Sequence, residues 1–65
     1  MKKCNFLICG DQVWFPVATL QFNTKKEIFD FINTYNLYFD MLEIFEGEER
    51  IFLGTKENFL SFDLV

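Results

Sequence analysis

Residues 23–36 read NTKKEIFDFINTYN, and the rest of the fold follows from this stretch. Ile28, Phe31, Ile32 and Tyr35 recur at spacings of three and four, which lays them along one stripe of an α-helix. Asn23 or Thr24 supplies the N-cap, and Glu27 stands three residues after Thr24, the spacing of a capping box. Asn36 suits a left-handed residue at the C-terminal end. Phe29 lies about 100° round from Ile28, at the border of the stripe, and is expected to be half covered. An amphipathic helix needs an apolar surface to lie on, and the flanking sequence offers strands.

On the N-terminal side, residues 3–9 (KCNFLIC) alternate, with Cys4, Phe6 and Ile8 on one face and Asn5, Leu7 and Cys9 on the other. Gly10-Asp11-Gln12 makes a turn, and residues 13–22 (VWFPVATLQF) are rich in β-branched and aromatic types, so the two segments read as a hairpin. Pro16 has no N–H to give a ladder, which places it at a bulge or on a free edge. On the C-terminal side, residues 37–46 (LYFDMLEIFE) begin a second hairpin, Glu46-Gly47-Glu48-Glu49 turn it, residues 50–53 (RIFL) return, and Gly54 closes it. After Thr55 two patterns compete. Thr55-Lys56-Glu57-Asn58 favours a helical turn, while alternating Leu60, Phe62 and Leu64 favour a strand. The expectation is a turn followed by an edge strand through residue 65. The whole reads as a single α+β domain, residues 1–65, in the order ββαββ(β), with one helix packed on a four- or five-stranded antiparallel sheet.

A chain of 65 residues buries only about 60% of its unfolded surface, and domains of this size usually add a disulfide, a metal or a partner subunit. Cys4 and Cys9 sit in one strand, roughly 16 Å apart at about 3.3 Å per residue and on opposite faces. A disulfide needs Cα atoms within about 7 Å, so the two cannot pair within that strand; both are expected to be free, small apolar core residues of a cytoplasmic protein. There is no histidine, so no metal site and no cofactor are expected. With both staples gone, oligomerisation remains, and the expectation is a homodimer. The start, MKKCNFLIC, is too short and too polar for a signal peptide, and no window approaches the 18 or so apolar residues of a membrane span.

The missing histidine also removes the usual base for nucleophile activation. The three glycines stand alone at turns and make no phosphate-binding loop. Glu43, Glu46, Glu48 and Glu49 surround a hairpin tip and not a cleft, so the chain is not expected to be an enzyme. A net charge of −4 argues against direct nucleic-acid binding, which rests on Lys and Arg. The charge is uneven. Residues 1–26 hold four Lys and one Asp, net +3, and residues 27–65 hold nine acids against one Arg and one Lys, net −7. Five acids, Asp40, Glu43, Glu46, Glu48 and Glu49, fall within ten residues; such a run is a solvated face or a binding patch.

Phenylalanine contributes ten residues, so the protein's business is burying aromatic surface, in its own core or against another protein. Both faces of the strands carry apolar groups: Leu7 opposite Phe6 and Ile8, Phe15 opposite Trp14, Phe45 opposite Ile44, and Phe52 opposite Ile51. One helix covers one face, and a half-solvated sheet would show polar residues on the other. A partner protein is therefore expected there. The candidate contacts are Trp14, Phe15, Phe45 and Phe52, with Asp40, Glu43, Glu46, Glu48 and Glu49 as the charged set. In size, acidity and absence of catalytic groups the chain is similar to the small phage-encoded inhibitors that block host or defence proteins, a likeness of composition alone. The functional expectation is a small acidic module that occludes a partner's surface. The alternatives are a structural subunit of a larger assembly and a DNA mimic presenting Asp40 to Glu49 in place of phosphates.

Overall fold

The computed structural model of the chain describes residues 2–64. Its elements run β1 (Lys2–Cys9), β2 (Trp14–Phe22), α1 (Lys25–Tyr35), β3 (Met41–Glu46), β4 (Glu49–Gly54) and α2 (Lys56–Ser61). The four strands form one antiparallel sheet in the order β2-β1-β3-β4, so β2 and β4 are the edges. The α+β class and the ββαββ order expected from the sequence are what the chain adopts.

Helix α1 begins where its sequence dictates. Thr24 is the N-cap, the Glu27 N–H donates to its side chain, and the Glu27 carboxylate accepts from the Asn23 and Thr24 N–H groups at 2.6 and 2.7 Å. These bonds satisfy donors that the first turn leaves free, and they hold the Glu27 carboxyl below its ordinary pKa, the Asn23 N–H contributing most. Asn36 ends the helix at φ 48°. Ile28 and Ile32 are buried, and Phe29 is half-buried.

The core lies between the two helices and one sheet face. It is built from Cys4 and Phe6 of β1, Phe22 of β2, Leu42 and Ile44 of β3, Ile28 and Ile32 of α1, and Phe59 of α2. Around it pack Phe29, Phe31, Phe39, Phe52 and Phe62, with ring centroids such as Phe6–Phe31 and Phe52–Phe62 at 5.5 and 4.7 Å. Eight of the ten phenylalanines are thus in this cluster or packed on it. The aromatic excess is a core, and only Phe15 and Phe45 lie outside. The chain's accessible surface, 4567 Å², is close to the roughly 4,400 Å² expected of a compact monomer of this mass. The core therefore closes within one chain.

Three expectations are corrected. Residues 37–40 are not strand: Tyr38 is exposed and Asp40 turns inward, so β3 starts at Met41. Residues 56–61 form a second helix, α2, and there is no fifth strand among the described residues; residue 65 of the expected strand lies outside them. Helix wins because Thr55 and Asn58 form a reciprocal capping box and Phe59, wholly buried, drops onto Phe29, Phe52 and Phe62. Cys9 is exposed, whereas Cys4 is buried as expected; both are free. No helix among the described residues is long and apolar enough to cross a membrane.

Candidate interaction surface on the open sheet face

Strand alternation and two bulges decide what the helix-free face presents. Between Phe6 and Leu7 the β1–β2 register slips by one residue, so Leu7 faces Pro16 and Val17 is the extra residue. A second slip between Ile44 and Phe45 leaves Ile51 as the extra residue of β4. Without the first bulge Pro16 and Trp14 would fall on the helix side; without the second, Arg50 would. The open face then reads as cross-strand rows: Trp14 beside Cys9; Pro16, Leu7 and Met41; Thr19, Asn5, Glu43 and Leu53; Gln21, Lys3, Phe45 and Arg50.

The first two rows and Leu53 are apolar. Trp14 is 49% exposed and Leu53 45%, while Leu7 between them is 7% exposed, sheltered by its neighbours. Asn5, Leu7, Trp14, Pro16, Met41, Glu43, Arg50 and Leu53 line a groove of about 320 Å³. Its polar end is a connected network. The Thr19 hydroxyl donates to Asn5 Oδ1 at 2.8 Å, Asn5 Nδ2 donates to Glu43 Oε1 at 3.0 Å, and Arg50 Nη1 lies 3.6 Å from Glu43 Oε2. The Glu43 side chain is 17% exposed and that of Arg50 is 52% exposed. Lys3 lies over the Phe45 ring at 5.7 Å. Lys3, Arg50 and Glu43 sum to +1, so this face carries the opposite sign from the chain's net −4.

The nine residues singled out from the sequence separate accordingly. Trp14, Glu43 and Phe45 lie on the open face. Phe15 sits opposite Ile8 on the helix side, its ring so close over Gly10 that a Cβ there would meet it at 2.3 Å. Phe52 pairs with Ile44 and belongs to the core side, parted by the extra residue Ile51 from Arg50 on the open face. The five acids do not form one patch. Asp40 is a brace at the far end of β1: its carboxylate accepts from the Cys9 N–H at 2.8 Å and the Tyr38 hydroxyl at 3.0 Å, while its own N–H donates to the Leu7 carbonyl. Glu43 points to the open face, and Glu46, three positions on, to the other, where Lys2 lies 3.5 Å away. That leaves Glu48 and Glu49 at the tip, where Gly47 turns with φ +63°; neither has an ion-pair partner among the described residues.

Pro16, Leu7, Met41, Leu53, Asn5 and Arg50 were missed by sequence reasoning. Leu7 carried a signal, as an apolar residue on the Asn5 face of its strand; the others depend on register that only the bulges reveal. Among the described residues no three His, Cys, Asp or Glu side chains gather as a metal-ligand set. Comparisons with known protein families, with curated proteins and with solved structures find no match to this chain.

Proposed function

We propose that the chain is a protein-binding module whose working surface is the open sheet face centred on Trp14, and that it acts by covering a partner's surface rather than by catalysis. The observation that carries this is the groove itself: an anchor of Trp14, Pro16, Met41 and Leu53 around a sheltered Leu7, bordered by satisfied polar groups. A rigid aromatic anchor inside a polar border is the anatomy of an interaction hot spot. Half of the face is polar, which favours a reversible contact over permanent burial in an assembly, where interfaces are more apolar. The dispersal of Asp40, Glu43 and Glu46 works against the DNA-mimic alternative.

Capture from a lysate of the source cells tests the proposal with three forms of the chain. A partner retained by the wild type is expected to be lost by the double variant Trp14→Ser, Leu53→Ser and kept by Glu48→Gln, Glu49→Gln. Both Trp14 and Leu53 are half exposed, so the face variant is expected to stay folded, which far-UV circular dichroism checks. Equal retention by the face variant refutes the assignment of this surface.

A further inference from the structure

The groove has an apolar end, Arg50 as the cation among its lining residues at the other, and room for little more than one or two residues. Arg50 carries five N–H donors in a fixed fork, and among the described residues its one charged contact is Glu43 Oε2 at 3.6 Å, longer than a hydrogen bond. Glu43 itself is occupied on its other oxygen by Asn5 and largely covered, so it serves to lean the guanidinium over the groove. Rows on one sheet face are about 7 Å apart along the strands. The Leu7–Met41 row is thus about 7 Å from the Glu43–Leu53 row over which Arg50 leans, the span from a carboxylate to the end of a large apolar side chain on the same Cα.

From this arrangement we infer that the groove binds the C-terminal residue of a partner protein, a large apolar side chain on Leu7, Trp14, Pro16 and Met41 with its free carboxylate on Arg50. The inference rests on the protein-binding reading and names its ligand. Charge supports it: Lys3, Arg50 and Glu43 give the open face a sum of +1 on a chain of net −4, so it favours an isolated anion carried on an apolar group and disfavours an extended acidic segment. Capture of a chain-terminal carboxylate by fixed donors is an established mode of peptide recognition.

The sole tryptophan, Trp14, reports occupancy by fluorescence. The probes are three blocked peptides: acetyl-Ala-Ala-Leu with a free carboxylate, the same peptide as its amide, and acetyl-Ala-Leu-Glu-Ala amide, whose carboxylate is internal. The free acid is expected to bind about tenfold or more tightly than either amide, equivalent to at least about 1.4 kcal/mol. Arg50→Gln is expected to erase that difference without changing the amide's affinity, and Arg50→Lys to restore part of it. Equal binding of acid and amide, preference for the internal glutamate, no saturation by any peptide, or indifference to Arg50→Gln would each overturn the inference. If the partner captured from lysate still depends on Trp14 in those cases, the protein-binding proposal stands without it; if that dependence also fails, both fall. Sedimentation without peptide tests self-association: mass above 7.8 kDa that the double variant Trp14→Ser, Leu53→Ser abolishes would assign the face to a second copy and likewise overturn the inference.

Discussion

Phe59 and Leu60 are neighbours in α2, and removing each to alanine distinguishes the helix observed from the strand that the alternation of Leu60, Phe62 and Leu64 suggests. Phe59 is fully buried, touches the rings of Phe29, Phe52 and Phe62, and has the Lys25 ammonium 4.9 Å from its centroid. Leu60 is 59% exposed. Deleting a buried phenylalanine side chain costs about 3–5 kcal/mol, transfer and cavity together. At about 0.05–0.15 kcal/mol per residue, the whole domain has about 3–10 kcal/mol to lose. Phe59→Ala is therefore expected to remove a third or more of the stability. With a urea m-value near 1 kcal/mol/M, the midpoint falls by about 3–5 M, or the chain does not fold at all. Phe59→Leu, with a smaller volume change, is expected to cost about 1–2 kcal/mol and keeps the measurement possible if the alanine variant is unfolded. Leu60→Ala is expected to stay within about 0.5 kcal/mol. In a strand the order would reverse, because Leu60, Phe62 and Leu64 would share the buried face. Equal losses at the two positions, or a larger loss at Leu60, would refute the helix and the core built on it.

Three further outcomes are expected. Thr24→Ala breaks the α1 capping box and should cost about 1 kcal/mol; because Glu27 titrates below its usual 4.5 in the fold, its contribution is present above that pH and lost as pH falls through the lowered value, so Glu27→Gln should flatten the acid limb of a stability–pH curve. A thiol reagent should modify one cysteine, Cys9, in the native protein and reach Cys4 only on unfolding; burial, with a smaller push from Glu43, raises the Cys4 thiol to about 12, so the unfolded chain loses that proton first and stability should fall as pH climbs from 9 towards 12. Glu48→Gln with Glu49→Gln should leave the melting temperature unchanged or higher, since exposed like charges contribute no attraction to the fold; a drop of several degrees would reveal a structural role at the tip.

Legibility in the sequence followed how local the deciding interaction is. Helix α1 could be read nearly to the residue because its stripe, Thr24–Glu27 box and Asn36 end are all contained in one run of fourteen; only Tyr35, counted on the stripe, lies 66% exposed. Both hairpins were legible for the same reason: their turns and alternation are local. Helix α2 was legible only in its first turn, Thr55–Asn58; its continuation was not, because the stabilising contact is Phe59 against Phe29, thirty positions earlier. The interaction surface was half legible. An apolar second face was evident from Leu7 and Trp14, but membership depends on the two bulges. Counting alternate positions puts Arg50 and Phe52 on one face; the bulge at Ile51 separates them, Arg50 to the open face and Phe52 to the core. The acidic run misled for a related reason: nearness along the chain is not nearness in space when consecutive residues alternate between faces and Asp40 lies beyond the strand.

The distribution of aromatic and polar groups also explains why the two faces of the sheet differ in so small a chain. A disulfide is geometrically unavailable, yet eight phenylalanines converge from three strands, both helices and the segments that follow the helices on one side of the sheet, and aromatic pairs add about 0.5–1.5 kcal/mol beyond their buried area. That concentration closes the core without help from the opposite face. The opposite face is then free to carry Thr19, Asn5 and Glu43 in one cross-strand row, hydrogen-bonded in sequence, with Arg50 of the next row ion-paired diagonally to Glu43. Such a run pins the register of β2, β1 and β3, since a slip by one residue would bury all of it. It also opposes permanent burial, because a covering layer would have to desolvate a carboxylate and a guanidinium held only 3.6 Å apart. The same residues that fix the sheet therefore limit how its open face can be used. Under the proposed reading, a partner would gain by covering the Trp14 end and by supplying Arg50 with an anion, and would pay a desolvation penalty for covering the rest, which favours a small, reversible and chemically selective contact over a second core.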